Sequence, residues 1–314
     1  MSRVLLVLSV LTLSLIVNTR AQNHIRFNHL TTEDGLSQSA VTCILQDKYG
    51  FMWFGTQDGL NRYDGYNFKV FKNDPEDSTT LSDNFIFSIY EDDSGTLYIG
   101  TQSGNLHEYD PTKESFSIIS PDSINLHKTD MNSVLAVYYD ESNIKWTGGL
   151  SQETGLKMEN IETGEVKTFT HDPNNKSSLS SNKVYSILRD SKGSLWIGTF
   201  DGLNKLDEET GIFTHYKNNP DNPNSISDNF VWPIYEDSRG NLWVGTVSGG
   251  LCKFDPQSNS FINYKNDPED PTSLNDNFVF SIYEDRSGVM WIGANLGGIN
   301  YFNPLSRSKT YILN

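Results

Sequence analysis

The chain has 314 residues, with 40 Asp and Glu against 24 Lys and Arg and a formal net charge of -16. So acidic a surface repels nucleic-acid phosphates and offers no polybasic patch to anionic lipid, which argues against nucleic-acid binding in this segment. Its two cysteines, Cys43 and Cys252, fall at unlike places and read as small buried residues, not as a bridge.

Met1-Ser2-Arg3 precedes an apolar run from Val4 to Val17, and the chain turns polar at Asn18. The run is too short for a comfortable membrane span and suits the core of a signal peptide. Small residues at Thr19 and Ala21 place the cut after Ala21. This predicts an exported, periplasmic chain of residues 22–314, whose formal charge becomes -18 once Arg3 and Arg20 leave.

A single pattern then recurs to the end. QDKYGFMWFGT ends at Thr56, EDDSGTLYIGT at Thr101, YDESNIKWTGG at Gly149, RDSKGSLWIGT at Thr199, EDSRGNLWVGT at Thr246 and EDRSGVMWIGA at Ala294. The glycines near their ends, Gly55, Gly100, Gly148, Gly198, Gly245 and Gly293, step by 45, 48, 50, 47 and 48 residues. A period this constant marks a repeat architecture.

The fifth repeat shows the plan. Asn229 to Glu236 is a β-branched and aromatic run that suits a mostly buried strand, and Asp237-Ser238-Arg239-Gly240 is a turn signal. Asn241 to Thr246 alternates as a second strand, Leu251 to Asp255 makes a third, and Ser260 to Tyr264 a fourth, more polar one. Four short strands in just under fifty residues predict an all-β fold, a β-propeller of four-stranded blades. The Asn-, Asp-, Pro- and Ser-rich stretches between repeats read as connectors inside one domain.

Inner, second and third strand patterns occur six times, but the outer-strand pattern occurs seven times. Ile25 to Leu30 opens the array as an orphan outer strand, and Lys309 to Leu313 ends it as another. A strand from the far terminus usually completes a propeller's last blade and removes an exposed edge. On this count the chain is six-sevenths of a seven-bladed ring, with Ile25 to Leu30 completing a blade beyond Asn314 and the C-terminal blade incomplete. The alternative is a six-bladed ring with a spare strand.

Leu30 to Ser37, Asp47 to Gly55 and Asp58-Gly59-Leu60-Asn61-Arg62-Tyr63-Asp64-Gly65 together resemble a known family. The chain from about Ile25 to Asn314 is similar to the N-terminal part of the periplasmic sensor region of hybrid two-component system regulators, built from two-component regulator propeller repeats. That resemblance implies a second propeller, a β-sandwich, a membrane helix, a histidine kinase, a receiver and a DNA-binding domain in full-length relatives. It also implies an oligosaccharide signal from glycan breakdown. The sequence contains no phosphorylatable histidine region or helix-turn-helix, so the chain reads as a truncated sensor fragment without catalysis of its own. A secreted propeller hydrolase or lyase and a protein-interaction scaffold are the competing readings, and a homodimer is left open.

The repeated D-x-x-G-x-x-W turn reads as architecture, with Asp fixing a hairpin. Rings in one repeated slot, Trp53, Trp146, Trp196, Trp243 and Trp291 with Tyr98, read as packing between blades. No carboxylate pair stands out from the repeats, no His cluster has zinc spacing, and neither cofactor nor metal is expected. Function is therefore sought where repeats differ: on the face formed by the connectors into inner strands and the turns between second and third strands. Sugars are held by aromatic faces and by planar amide or carboxylate hydrogen bonds. The candidates for ligand contact are Gln57, Asp58, Asn84, Phe200, Asp201, Asn229, Trp232, Asn277 and Asn295, with Arg62 as a cation suited to a uronate or sulfate. Leu150 to Thr154 is expected to form a longer turn on the same face.

Overall fold

The computed structural model describes residues 25–119, 134–140, 142–150 and 154–305. The signal-peptide reading, the outer strand read at Lys309 to Leu313 and most of the longer turn after Leu150 lie outside them. The strands are β1 (Asn28–Leu30); β2 (Val41–Gln46), β3 (Met52–Thr56), β4 (Gly59–Tyr63) and β5 (Phe68–Phe71) of blade 1; and β6 (Ile86–Glu91), β7 (Leu97–Thr101), β8 (Leu106–Asp110) and β9 (Ser115–Ile119) of blade 2. Blade 3 holds β10 (Val134–Tyr139), β11 (Ile144–Gly149), β12 (Leu156–Asn160) and β13 (Val166–Phe169). Blade 4 holds β14 (Val184–Arg189), β15 (Leu195–Thr199), β16 (Gly202–Asp207) and β17 (Ile212–Tyr216). Blade 5 holds β18 (Val231–Glu236), β19 (Leu242–Thr246), β20 (Leu251–Asp255) and β21 (Ser260–Tyr264), and β22 (Val279–Glu284), β23 (Met290–Ala294) and β24 (Ile299–Phe302) form blade 6.

Each blade is a four-stranded antiparallel sheet, and blade 6 takes its outer strand from the N-terminus in the order β1-β24-β23-β22. Asn28, His29 and Leu30 pair with Tyr301, Asn300 and Ile299. The seven-bladed expectation is thereby corrected: the described residues form six blades, and the orphan strand completes the sixth instead of a blade beyond Asn314. The physical reason is an edge with a matching partner. Phe27 is buried edge-on against Tyr264 and Phe302, at 6.2 and 5.2 Å between centroids, while its N–H donates to Thr272 O. That bond repeats what Phe116, Phe213 and Phe261 make to Thr79, Ser177 and Asn224 in their own blades.

The D-x-x-G-x-x-W turn is structural, as its repetition suggests. Asp237 Oδ1 accepts from the Arg239 and Asn241 amides, and its Oδ2 accepts from Trp243 Nε1 at 2.9 Å. Trp53, Trp196 and Trp291 donate likewise to Asp47, Asp190 and Asp285, each at 2.8 Å, and the Tyr98 hydroxyl donates to Asp92. The turn residue before the second strand takes a left-handed conformation, supplied by glycine in five blades and by Asn143, φ 59°, in blade 3.

Those bonded rings pack blade on blade. Trp53 meets Tyr109 across blades 1 and 2, Trp196 meets Phe254 across blades 4 and 5, Trp243 meets Phe302 across blades 5 and 6, and Phe54 meets Trp291 across blades 1 and 6. The glycine closing the second strand of blades 1, 3, 4, 5 and 6 admits the first inner-strand residue of the next blade. A Cβ on Gly198 would lie 2.8 Å from Val231 Cγ1, and one on Gly55 would lie 2.8 Å from Ile86 Cγ2. Val231 and Ile86 are fully buried there, each contributing roughly 1.5–3 kcal/mol.

Shared apolar cores join blades 1 and 2, 3 and 4, 4 and 5, 5 and 6, and 6 and 1. Among the described residues no such core joins blades 2 and 3. Tyr90, Ile118 and Val137 of those two blades are exposed.

Candidate functional site

The inner strands place one residue per turn of the ring toward its axis. In β6, β14, β18 and β22 the residue after the buried Ile or Val is Phe87, Tyr185, Trp232 and Phe280; in β2 it is Thr42. Each of these residues falls where the register shifts between the first and second strands, as between Val184 and Ser186, so a β-bulge leaves it unpaired and re-aims its side chain. Together with Phe85 and Ser88 these residues line a cavity of about 320 Å³ contributed by blades 1, 2, 4, 5 and 6. The volume falls at the small end of ligand pockets.

Trp232 is the hub of the aromatic lining. Its ring lies 5.0 Å from Tyr185, 5.8 Å from Phe230, 5.7 Å from Phe278 and 5.5 Å from Phe280. Phe200 adds a ring at the mouth, 5.0 Å from Phe230, and is 48% exposed, so its face is available to a ligand. The Lys183 ammonium stands 5.1 Å from the Phe200 centroid. Burial pushes the Tyr185 phenol above its ordinary range, which keeps its hydroxyl protonated as both donor and acceptor.

The expected face exists. Turns between second and third strands hydrogen-bond to the starts of inner strands: Val247 N donates to Phe230 O, Asn295 N to Phe278 O and Gln102 N to Phe85 O. Asp83, Asp228 and Asp276 reinforce the same junctions by accepting from the Ser103, Ser248 and Leu296 amides.

Of the residues read from sequence, Trp232 and Phe200 meet in the aromatic cluster, half-buried Asn295 stands on the turn whose amide donates to Phe278 O, and Gln57 is exposed on the turn between β3 and β4. Asn84, Asn229 and Asn277 have their Oδ1 atoms engaged by the Asn73, Asn218 and Asn266 amides, 11 residues earlier in each case. Asn84 and Asn229 also donate to Asp58 and Asp201, which pair with Lys72 and Lys217 at 2.6 Å. These planar groups tie connectors to turns.

Arg62 lies apart, in a cavity of about 460 Å³ between blades 1 and 2 near the Asp47 turn. Its guanidinium is 4.8 Å from the Phe51 centroid and pairs with Glu114 at 3.1 Å. Tyr185, Phe280, Phe87, Thr42 and Ser88 were not singled out from sequence, although their shared slot in the aligned inner strands was a usable signal. Among the described residues no group of His, Cys, Asp and Glu could hold a metal ion, and no helix is long and apolar enough to cross a membrane.

Six four-stranded blades around an aromatic-lined axis define a β-propeller. Five of its repeat segments match the two component regulator propeller model, at residues 35–58, 80–103, 178–201, 225–248 and 273–295. Among solved structures the chain is similar to the extracellular domain of a putative hybrid two component system from B. thetaiotaomicron, at 25% identity and TM-score 0.65 over 89% of this chain and 42% of that one. The WD40 propeller domain of Doa1 matches 91% of the chain at TM-score 0.62 and 13% identity, a likeness of fold alone. A curated histidine kinase, P4 of Formosa agariphila, is 52% identical over 69 residues, which are 22% of this chain and 5% of the kinase. The chain thus spans less than half the length of the hybrid-system domain and a small part of the kinase.

Proposed function

We propose that this propeller is the ligand-sensing part of an extracytoplasmic, periplasmic sensor region in a hybrid two-component signalling protein, and that its axial cavity takes the end of a glycan-derived oligosaccharide. The observation that carries this reading is the aromatic cluster centred on Trp232 beside hydroxyls of Thr42, Ser88 and Tyr185. Stacked rings take the C–H faces of pyranoses, and the hydroxyls take their polar edges.

Binding without catalysis is the matching chemistry. General acid and base work needs two carboxyls at a defined separation across the scissile bond. The carboxylates around this mouth, Asp83, Asp228 and Asp276, instead accept backbone N–H bonds from turns. In a full-length protein with a second propeller and downstream signalling domains, ligand would act by binding one domain arrangement more tightly than another.

Calorimetry with an oligosaccharide panel tests this, run beside an assay for product release. Heat without turnover, lost in Trp232→Ala and reduced in Phe200→Ala, is the expected result. Turnover would overturn the binding-only reading, and heat unchanged in both variants would remove the cavity as the site.

A further inference from the structure

We infer that the axial cavity selects an uncharged saccharide and rejects uronates and sulfated sugars, an inference that rests on the reading of this cavity as the ligand site. Among the described residues no Lys or Arg lines it. An anionic ring entering it would lose hydration without gaining a charge-assisted bond, the penalty of an unpaired charge moved into an apolar site.

The surrounding field acts in the same direction. At the mouth Asp58 and Asp201 are neutralised by Lys72 and Lys217, which leaves the carboxylates of Asp83, Asp228 and Asp276 around the inner-strand starts. Opposing them are Lys183, held over the Phe200 ring, and Lys265, which follows β21 as Lys72 and Lys217 follow β5 and β17. The chain as a whole carries -16. Arg62, the cation that sequence alone suggests for an anionic sugar, is spent on Glu114 in the other cavity.

Trp232 also provides a selective signal. The chain has six tryptophans, and the other five are the buried Trp53, Trp146, Trp196, Trp243 and Trp291. A ligand in the cavity therefore changes Trp232 emission against a constant background.

The test titrates neutral oligosaccharides from glucan, galactan and mannan, and the C6-oxidised uronate form of each, into the protein at low and high salt. The expected result is a Trp232 emission change with at least one neutral series and binding at least about tenfold weaker, or none, with its oxidised form. Phe87→Lys, which places a cation at a half-exposed lining position, should narrow that gap. Oxidised forms that bind as tightly as neutral ones and still depend on Trp232 would overturn the inference while leaving the cavity as the site. Binding that survives Trp232→Ala unchanged when followed by calorimetry, or silence across the whole panel, would overturn the cavity reading together with the inference.

Discussion

Trp146 occupies in blade 3 the slot that Trp243 occupies in blade 5, yet its indole Nε1 is buried without a hydrogen-bond acceptor among the described residues. Asp140, the equivalent of Asp237, accepts from the Ser142 and Ile144 amides through Oδ1, while its Oδ2 faces Arg189 of blade 4 at 3.5 Å. A cation from the next blade has taken the place of the indole donor. Both rings are fully buried, so Trp→Phe removes similar volume at either place. Trp243→Phe also removes a charge-assisted bond to Asp237 Oδ2, which keeps only the Asn241 side-chain amide at 2.8 Å, whereas Trp146→Phe removes an unpaired donor. Trp243→Phe should therefore cost roughly 1–3 kcal/mol more than Trp146→Phe in urea unfolding. Equal costs would mean that the indole bond contributes nothing.

His107 is fully buried and accepts from the Ser82 amide at Nε2, 3.0 Å away. Asn61, Asn204 and Asn300 fill the same slot and use Oδ1 to accept from Ser37, Ser180 and Asn275. A protonated imidazole cannot accept, and burial pushes the His107 pKa below its ordinary value. A depressed pKa gives stability that is present above the unfolded value, about 6.5, and is lost as pH falls through the folded one. Thermal melts from pH 8 to pH 5 should show that loss in the native chain and not in His107→Asn. Parallel curves for the two proteins would disprove the role.

Asp237 is a second source of acid sensitivity. Burial would raise its carboxyl, but bonds from Trp243 and from Asn241 and Arg239 outweigh that and hold it below the ordinary carboxylate range. Its contribution is therefore complete above about pH 4 and disappears as pH falls through the lower folded value. Asp237→Asn should be less stable than the native protein at pH 7, with the gap closing toward pH 2. Chemical denaturation at both pH values measures it, and a gap that stays constant would contradict the assignment.

The blades were legible in the sequence because the residues that shape them are local. Asp237, Gly240 and Trp243 lie within seven positions, and their copies fix the period, the turns and the strand order. Blade number was less legible, since Ile25 to Leu30 reads as an outer strand whichever edge it joins. Only the pairing of His29 with Asn300, 271 residues away, selects the sixth blade. In the site, Phe200 and Trp232 were visible as departures from the repeat. Tyr185, Phe87 and Phe280 were hidden because an aromatic in an inner strand looks the same whether it faces a neighbour or the axis. Asn84, Asn229 and Asn277 misdirect in the opposite way, since a ligand-binding amide and a connector-locking amide have identical chemistry.

The seam between blades 2 and 3 makes a last prediction. A Cβ on Gly198 would stand 2.3 Å from Ser186 Oγ and 2.8 Å from Val231 Cγ1 of the next blade. The hydroxyl can rotate away, but Val231 is fully buried and cannot move without shifting blade 5 against blade 4. A Cβ on Gly100 would meet Ser88 Oγ at 2.5 Å and no other side chain as closely among those described, which do not include that of Val134 at the start of β10. Overpacking of a sealed interface costs roughly 1–3 kcal/mol, whereas a single rotatable hydroxyl absorbs most of the strain. Gly198→Ala should therefore lower the unfolding midpoint clearly, and Gly100→Ala should lower it much less. Similar losses in the two variants would show that blades 2 and 3 pack as tightly as blades 4 and 5, and that the seam is closed in solution.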